Sequence, residues 1–599
     1  MENEKTPWIK KYKLWFYVFP GYIAVLAIIF CWCFMNNPGM LREQLISVLP
    51  WFLEINFLLI VIGFILNIKS VKNVLEEIPK RYLYLLLALI VCGILLAMFA
   101  APRVHRLYYD ENIYLNIGQN IAFQENAAMC AEGFNNYGKY DCAQLEHNKQ
   151  PYAYPYLIAV LYRVFGASEI GAFLLNNFIF GLSIFVVFII AYLLFNKPSM
   201  AIYSALVFCL IPENTIWSNT TTAEPGASLF AGAVVASALI YLREKNFKSL
   251  LFFVALIPFA IQFRIESIFV IPLVFLLILL RDGKVLKDGK IYLFGILALT
   301  LLIPFVVQLY AVRGENWGNT TGTRMDWSYL THNFKTNSLF YIRNAKFPFL
   351  FTIFFFIGLF FKRVCLKERC FTGFWFLSFW GVFLFFYAGS YEYGQDVRFS
   401  LVSYMPLSII AGLGVSRLEE FFRRKETVYT FRVFATSIIV LSFLQLMPHV
   451  RVIGEEAWGA RYDHYYARKM LDYLPERSIV LTHNPNMFLL WGGNAAQASI
   501  ATNNKPKIND FFERFTGGVY FHYNFWCNIN DPVQQAFCNN ILKKYKHEIV
   551  VKYKERNFDY VLYKLVGQSH QKANPFNTLQ KANPNGTLQK ANPFGTLQR

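Results

Sequence analysis

The sequence has few charged residues for its length. Asp, Glu, Lys and Arg make up only 16% of its 599 residues, whereas hydrophobic residues account for 56% and aromatic residues for 18%. A soluble chain of this size needs far more charged surface, so the composition excludes a soluble globular protein. The excess of apolar and Phe-rich segments is typical of a protein that crosses a membrane many times.

Apolar runs recur along the first three quarters of the chain. About thirteen of them approach the ~20 residues that a helix needs to cross ~30 Å of hydrocarbon, although some are shorter. They are Leu14–Phe34, Leu49–Leu66, Tyr82–Ala101, Ile170–Phe195, Ala201–Ile211, Gly226–Leu242, Leu250–Phe263, Ser267–Leu280, Ile291–Val312, Phe347–Phe361, Phe371–Tyr387, Phe399–Val415 and Val433–Leu446. The predicted fold class is therefore a polytopic α-helical membrane protein with about thirteen transmembrane helices.

The first apolar run lacks a small-residue cleavage site, which predicts an anchor rather than a removable signal peptide. Basic residues precede this run and recur in alternate loops, such as "REKNFK", "RDGKVLKDGK" and "KRVCLKER". Because basic loops stay in the cytoplasm, the N-terminus is predicted on the cytoplasmic side of the cell membrane or inner membrane. The opposite, outer side is then predicted to hold "YYDEN", "SNTTTAEP", "SYEYGQDVR" and the chain after about Met447. The net charge of +19 then reflects orientation and contact with anionic lipid, and no nucleic-acid partner is indicated.

Cysteines are also sparse, at ten in the whole chain. Cys130 with Cys142, and Cys527 with Cys538, lie in polar segments predicted outside, where the environment is oxidising. Their spacing allows two local disulfides. The other six lie in apolar runs or cytoplasmic loops without partner ligands, so we expect them to be free thiols.

Four regions follow from this pattern. Residues 1–81 carry two additional transmembrane helices, and residues 82–447 form the main transmembrane part with its external loops. Residues 448–566 contain a helix-like stretch and β-branched runs that predict an external α/β domain. Residues 567–599 contain the nine-residue units "KANPFNTLQ", "KANPNGTLQ" and "KANPFGTLQ", which bury too little apolar area to fold alone and predict a disordered tail.

The segment "RLYYDENIY" places two adjacent carboxylates, Asp110 and Glu111, directly after an apolar run. Tyr109, Ile113 and the isoleucines that follow suit one face of a helix that lies on the membrane surface. A purely structural interpretation is an N-cap followed by a first-turn acid. It accounts for Glu111 without excluding a chemical role for Asp110.

Other ionisable residues stand at the edges of apolar runs. Arg264 and Glu266 lie within an apolar hairpin, where charges are costly unless they face a cavity or each other, so the pair is either functional or a mutual ion pair. The remaining candidates are Glu146, His147 and Lys149 in "EHNKQPYAYP", Glu224 in "NTTTAEPG", and Asp396 and Arg398 in "EYGQDVRFSLVSYMP".

The order of these motifs resembles the type C superfamily of membrane glycosyltransferases, the branch that contains protein O-mannosyltransferases and the lipid A aminoarabinose transferase. The resemblance covers residues 82–415 and rests on "YDEN", "KQPYAYP", the acid of the second external loop and "VRFSLVSYMPL". The chain has "KQPY" where the family has Lys-Pro-Pro, and two additional runs precede the similar region. It lacks the "WWDYG" motif of oligosaccharyltransferases, which argues against transfer of a complete glycan to Asn.

The resemblance implies an activity and roles for individual residues. Family members take a sugar from a polyprenyl phosphate and move it to an acceptor hydroxyl of a lipid, glycan or protein at the outer face. By correspondence, Asp110 is the catalytic base, Glu224 is the second-loop acid, and Lys149 and Arg398 hold the donor phosphate, with Arg264 as a helper. Supporting roles fall to Glu111, Glu266, Asp396 and Tyr109.

No cofactor is required by this interpretation, although some family members use a divalent metal. Glu146 and His147 are the candidate ligands, but adjacent residues on one segment form a poor ligand set. The alternative function is a transporter or lipid flippase of the cell envelope, with Arg264, Glu266 and Asp110 along its pathway. No internal repeat and no matching pair of broken apolar runs supports that alternative.

Overall fold

The computed structural model describes residues 7–136, 138–313, 324–360, 365–392, 394–423 and 427–568. The predicted disordered tail, residues 567–599, lies outside the described residues except for its first two positions. Most of the described chain is α-helical, and one β-sheet lies at one end of the helical bundle.

Helices dominate the first three quarters of the chain. The first twelve are α1 Pro7–Met35, α2 Pro38–Glu76, α3 Lys80–Phe99, α4 Asp110–Gln124, α5 Ala153–Phe165, α6 Glu169–Phe195, α7 Pro198–Cys209, α8 Pro212–Trp217, α9 Glu224–Glu244, α10 Phe247–Ile261, α11 Val270–Asp282 and α12 Gly289–Ala311. The next twelve are α13 Leu330–Phe340, α14 Phe349–Phe360, α15 Leu366–Gly381, α16 Leu401–Arg423, α17 Val428–Gln445, α18 Met447–Arg451, α19 Glu455–Met470, α20 Pro485–Leu490, α21 Ser499–Asn503, α22 Lys505–Arg514, α23 Phe525–Asn528 and α24 Pro532–Lys544. Short 3₁₀ helices cover Ile265–Phe269, Gly283–Lys287, Trp327–Tyr329, Val382–Leu384, Gly394–Ser400 and Leu471–Tyr473.

The polytopic helical fold class is confirmed. Each predicted apolar run overlaps a helix, and seven helices of the described residues are long and apolar enough to cross a membrane, with five shorter apolar helices besides them. The number of about thirteen crossings stays a prediction.

The basic loops predicted in the cytoplasm meet at one end of the bundle. There Lys245, after α9, lies 2.6 Å from Asp282 at the end of α11, and Lys197, before α7, lies 2.8 Å from Glu420 near the end of α16. The loops predicted outside meet at the other end, together with the sheet. We call these two ends the basic end and the sheet end.

Close helix packing depends on glycines where α14 crosses α16. A Cβ atom on Gly358 would lie 2.0 Å from the carbonyl oxygen of Ile410, and one on Gly414 would lie 2.0 Å from that of Phe354. Larger side chains at these two positions would force the backbones apart, so the small residues set the distance between the helices.

The sheet at the sheet end contains seven strands. They are β1 Met129–Asn136, β2 Lys139–Glu146, β3 Ser478–Thr482, β4 Ala495–Gln497, β5 Gly518–Tyr523, β6 Tyr545–Glu555 and β7 Phe558–Gln568, in the order β2-β1-β4-β3-β5-β7-β6. Strand β3 pairs in parallel with β4 and β5, whereas β1 and β7 extend this centre in antiparallel fashion.

This sheet confirms the predicted α/β fold of the C-terminal region. We call residues 448–566 the external domain after their predicted location, which stays a prediction. The hairpin β1–β2 comes from the first loop of the transmembrane region, yet β1 pairs with β4 of the C-terminal domain. The sheet of the external domain is therefore continued by this hairpin, because the hairpin offers a free strand edge that β4 covers.

Both predicted disulfides are confirmed. Cys130–Cys142 joins the two strands of the hairpin, and Cys527–Cys538 joins α23 to α24. The six remaining cysteines are free. All four bonded cysteines lie at the sheet end.

Candidate active site at the sheet end

Asp110 is the first residue of α4, and a strained turn precedes it. The amide of Asp110 donates a hydrogen bond to the carbonyl oxygen of Tyr108 at 3.0 Å, which closes a γ-turn around Tyr109. Tyr109 has φ 73° and ψ −57°, a conformation that costs on the order of 1–3 kcal/mol in a residue with a side chain. Tyr109 occupies the N-cap position, so the interpretation of Asp110 as the N-cap is wrong. Strained residues of this kind cluster at functional sites.

Glu111 is fully buried and holds the loop in front of α4 in place. Its Oε1 accepts hydrogen bonds from the amides of Arg106 and Leu107, at 2.6 and 2.9 Å. Its Oε2 accepts from the amide and hydroxyl of Thr221, at 2.9 and 2.8 Å, and lies 2.9 Å from Nδ1 of His105. Burial by itself would raise the pKa of Glu111, but His105 and the amides hold it below its ordinary value. Glu111 therefore joins the loop before α4 to the loop before α9, which is a structural role.

Glu224 lies at the start of α9 and binds two arginines. Its side chain is almost completely buried, and its Oε1 accepts hydrogen bonds from Nη1 of Arg264 at 2.5 Å and from Nε of Arg398 at 2.9 Å. Arg264 lies in the connection between α10 and α11, and Arg398 lies in the 3₁₀ helix that leads into α16. Three loops that are distant in sequence therefore meet at one carboxylate.

Two further acids complete this group. Arg264 donates from Nε to Oε1 of Glu266, and Nη1 of Arg398 lies 3.5 Å from Oδ1 of Asp396. Both guanidinium groups also lie over the ring of Phe399, at 4.9 and 4.5 Å from its centroid. The predicted ion pair of Arg264 with Glu266 exists, but it belongs to a larger set. We call Glu224, Arg264, Glu266, Asp396 and Arg398 the charge cluster.

The buried hydroxyl of Tyr114 in α4 is influenced by the charges of both Asp110 and the charge cluster. Burial raises its pKa well above the ordinary value of tyrosine. The carboxylates of Asp110 and Glu224 raise that pKa further, because negative neighbours oppose ionisation. The guanidinium groups of Arg264 and Arg398 act in the opposite direction. All four charges are therefore close enough to act on one buried hydroxyl.

A third arginine, which sequence reasoning missed, lies next to the charge cluster. Burial lowers the pKa of Arg324. The negative charge of Glu266 and the hydroxyl of Tyr387 act to raise this pKa, whereas the positive charge of Arg264 lowers it further. Its carbonyl oxygen accepts a hydrogen bond from the amide of Tyr387 at 3.2 Å. Arg324 lies in a segment that was predicted outside, but no motif distinguished it there.

Lys149 lies in the loop between β2 and α5, and its neighbours fix this loop against two helices. Nε2 of Gln308 in α12 donates to the carbonyl oxygen of Gln150 at 2.8 Å, and the amide of Ala153 donates to the carbonyl oxygen of Gln262 at 3.0 Å. Gln262 belongs to the connection that also carries the first arginine of the charge cluster. The loop with Lys149 is therefore held beside that connection.

The external domain contacts the residues in front of Asp110. The hydroxyl of Tyr108 donates to Oδ2 of Asp463 in α19 at 2.6 Å and accepts from Nδ2 of Asn524 at 3.3 Å. Its ring lies 5.0 Å from that of Trp526. Burial raises the pKa of Asp463 to about 7, while Tyr108 acts to lower it. The external domain thus helps to define the position of the strained turn.

The predicted metal ligands Glu146 and His147 lie at and just after the end of β2. Burial lowers the pKa of His147 to about 4, and Arg42 acts in the same direction. Within the described ranges, the groups of three His, Cys or acidic residues that could share an ion are His105, Glu169 and His464, and His483, Cys527 and Cys538. Neither group includes Glu146 or His147, so a metal at those two residues stays a prediction.

The arrangement offers two kinds of chemistry. Asp110 is a half-buried carboxylate at the start of a helix, where it can accept a proton from a hydroxyl group. The arginines of the charge cluster can stabilise negative charge on a phosphate, since guanidinium groups match phosphate geometry.

Comparison with known proteins supports the resemblance stated above. A family model described as dolichyl-phosphate-mannose-protein mannosyltransferase matches residues 149–307. This range begins at Lys149 and includes Glu224, Arg264 and Glu266. The curated protein sequences contain no match to this chain. The resemblance to type C membrane glycosyltransferases is confirmed by the family match.

Solved structures of two proteins align with this chain. ArnT from Cupriavidus metallidurans in the apo state has a TM-score of 0.48 and 14% sequence identity, over 80% of this chain and 97% of that chain. The same protein bound to undecaprenyl phosphate has a TM-score of 0.47 and 13% identity, over 81% and 98%. The apo oligosaccharyltransferase of Archaeoglobus fulgidus has a TM-score of 0.49 and 12% identity, over 83% and 75%. Identities this low say nothing about donor or acceptor.

Proposed function

We propose that the protein is a glycosyltransferase that moves a sugar from a polyprenyl-phosphate donor to an acceptor hydroxyl at the outer face of the membrane. The acceptor is a lipid, a glycan or a protein. The observation that carries this proposal is the convergence of Arg264 and Arg398 on Glu224, around the same Tyr114 hydroxyl that is influenced by Asp110. The match of residues 149–307 to a mannosyltransferase family supports the same class of reaction.

The cations of the site have the chemistry that a phosphate leaving group requires. Breaking the bond between sugar and phosphate leaves negative charge on the polyprenyl phosphate, and nearby cations lower the energy of that state. Arg398 is suited to a bidentate contact with phosphate oxygens, whereas Lys149 acts as a point charge. Arg264 shares the carboxylate of Glu224 with Arg398, so it helps to set the position of that guanidinium group.

Asp110 is the proposed general base. The acceptor oxygen forms a bond to the anomeric carbon of the sugar, and the bond from that carbon to the phosphate oxygen breaks with its electron pair. The acceptor proton passes to Asp110 as the new bond forms, because a carboxylate cannot deprotonate a hydroxyl group in advance. Such assistance is typically worth ~10²–10⁴ in rate. Glu224 is already bound to two arginines, so we assign it the positioning of those arginines.

The test uses purified full-length protein in detergent, a radiolabelled polyprenyl-phosphate sugar and a membrane extract as the source of acceptor. The wild-type protein should move label to an acceptor. Asp110→Asn keeps the size and hydrogen bonding of the side chain, so it should lower turnover by ~10²–10⁴ and leave donor binding unchanged. Asp141→Asn, at an exposed position on β2, is the matched control and should behave like the wild type.

Two results would contradict the proposal. Normal turnover by Asp110→Asn, with none by Glu224→Gln, would reassign the base to Glu224. Absence of transfer by the wild type, together with movement of the labelled lipid across vesicles that contain it, would indicate the alternative function, a lipid flippase.

The proposed outer location has a separate test. A cysteine in place of Ala143, which is exposed on β2, should react with a membrane-impermeant thiol reagent in intact cells, provided that the six free cysteines are replaced. Labelling only after the membrane is opened would place the sheet end in the cytoplasm. That result would leave no route for an external acceptor.

A further inference from the structure

Three side chains from separate segments converge where the external domain meets the helical bundle. His105 lies in the loop before α4, Glu169 begins α6, and His464 belongs to α19 of the external domain. Oε1 of Glu169 lies 2.9 Å from Nε2 of His464 and 3.7 Å from Nε2 of His105. The ligand atoms of all three side chains lie within 4.8 Å of one another.

These atoms lie at ion-pair distances from one another, but two of them lack a well-aligned hydrogen bond. Oε1 of Glu169 and Nε2 of His105 are buried, and neither makes a hydrogen bond of good geometry within the described residues. Such atoms are rare, since about nine in ten buried polar groups are paired. Ligands at roughly 2.0–2.1 Å from a tetrahedral zinc ion lie about 3.3 Å apart. The two distances from Glu169 lie on either side of that value.

The other ring nitrogen of His105 has the partners that metal-binding histidines have. Nδ1 lies 2.9 Å from Oε2 of Glu111 and 3.2 Å from Oγ1 of Thr221. A carboxylate that accepts the Nδ1 proton fixes the tautomer and leaves the lone pair of Nε2 for a metal ion. Glu111 is itself held by backbone amides, so the orientation of the His105 ring is defined before any ion binds.

We propose that His105, Glu169 and His464 bind one divalent transition-metal ion of the zinc type. Two imidazole nitrogens and one carboxylate oxygen are zinc ligands, whereas Mg²⁺ and Ca²⁺ prefer oxygen ligands alone. In the other group of ligand residues, Cys527 and Cys538 are joined in a disulfide and cannot bind metal as thiolates.

The ion has a structural consequence that is independent of the proposed transfer reaction. It fastens α19 of the external domain to α6 and to the loop that leads to Asp110. Residues from three segments would then be held by one centre, next to the contact between Tyr108 and Asp463.

The first measurement is the metal content of full-length protein purified through a histidine-free affinity tag. Elemental analysis should find about one zinc ion per chain in the wild type. Glu169→Gln and His464→Gln each remove one ligand and should lower the zinc content at least about tenfold. His449→Gln is the matched control, because His449 pairs with Glu213 at 2.7 Å outside both ligand groups. It should retain the wild-type zinc content.

The second measurement begins with wild-type protein, so its main result does not depend on how the variants fold. After treatment with a chelator, the protein is titrated with Co²⁺, and the visible absorption should indicate a tetrahedral site with nitrogen and oxygen ligands. Zn²⁺ should displace the Co²⁺. Glu111→Gln should weaken Co²⁺ binding by ~10–100-fold without removing a ligand.

Two outcomes would overturn the proposal. One is wild-type protein that holds no zinc and shows no Co²⁺ absorption after the chelator is removed. The other is full metal content in folded Glu169→Gln and His464→Gln, which would place the ion elsewhere in the chain.

Discussion

Replacing Glu224 by glutamine should separate the two arginines of the site with almost no change in side-chain volume. In the wild type one oxygen of Glu224 accepts hydrogen bonds from both Arg264 and Arg398. Glutamine retains an acceptor oxygen but lacks the negative charge, and its amide group repels a guanidinium donor. We expect Arg398 to lose its defined position, and the donor phosphate to bind less tightly as a result.

The expected magnitude follows from these two contacts. Hydrogen bonds to charged groups contribute about 1.5–3 kcal/mol each, roughly twice the value for neutral groups. If each of the two hydrogen bonds loses half of that contribution, binding of the donor is weakened by about 1.5–3 kcal/mol in total. Since ~1.4 kcal/mol corresponds to a factor of ten, kcat/KM for the labelled donor should fall by about 10- to 150-fold.

The assay measures kcat and KM for the donor, along with the thermal unfolding temperature in detergent. A loss through positioning should appear mainly in KM for the donor, whereas loss of the base in Asp110→Asn should appear in kcat. Glu213→Gln is the matched control, because Glu213 is a buried carboxylate bound to His449 and Trp217 at the same end of the molecule.

A fall in kcat/KM for Glu224→Gln no larger than that for Glu213→Gln, at equal thermal stability, would refute this prediction. The two arginines would then hold their positions without the shared carboxylate. A loss confined to kcat would instead favour Glu224 as a participant in proton transfer.

Three further predictions follow from single features of the site and the external domain. Arg398→Lys should weaken binding of labelled polyprenyl phosphate at least about tenfold, since Lys cannot reproduce a bidentate contact. The control Arg417→Lys, at the basic end, should leave this binding unchanged. Equal binding by both variants would remove Arg398 from the phosphate site. Tyr109→Gly should retain transfer activity, because glycine adopts φ 73° without strain. Tyr109→Pro should abolish transfer activity, because proline fixes φ near −65°. An active proline variant would show that the turn is not required. Replacing Cys130 and Cys142 by serine removes a disulfide with a sequence separation of 12. This change should lower the free energy of unfolding by about 3 kcal/mol. An unchanged unfolding temperature under non-reducing conditions would contradict this prediction.

The apolar runs and the positions of the charged motifs could be predicted from sequence because each depends on local composition. A run such as Glu169–Phe195 must be helical in a bilayer, since no other local structure satisfies its backbone groups there. The two disulfides were predicted for a similar reason, since Cys130 with Cys142 and Cys527 with Cys538 are close in sequence and lie in polar segments.

Contacts between distant segments could not be predicted in this way. The pairing of β1 with β4 joins Glu132 to Ala496, and nothing in either strand identifies the other. Glu111 is a first-turn acid of α4, as predicted, but its contact with Thr221, which is distant in the chain, could not be predicted. Arg324 carried no local signal, because its proximity to Glu266 arises only when α13 and its neighbours pack.

The sequence by itself determined the membrane-spanning class, the two disulfides and the ionisable residues of the candidate site, because hydrophobicity and local spacing are properties of single segments. The tertiary structure decided how those residues combine. It placed Arg264 and Arg398 on Glu224, and it brought His105, Glu169 and His464 together. The physical reason is that a buried charge or metal ligand needs partners, and folding alone determines which distant loops supply them.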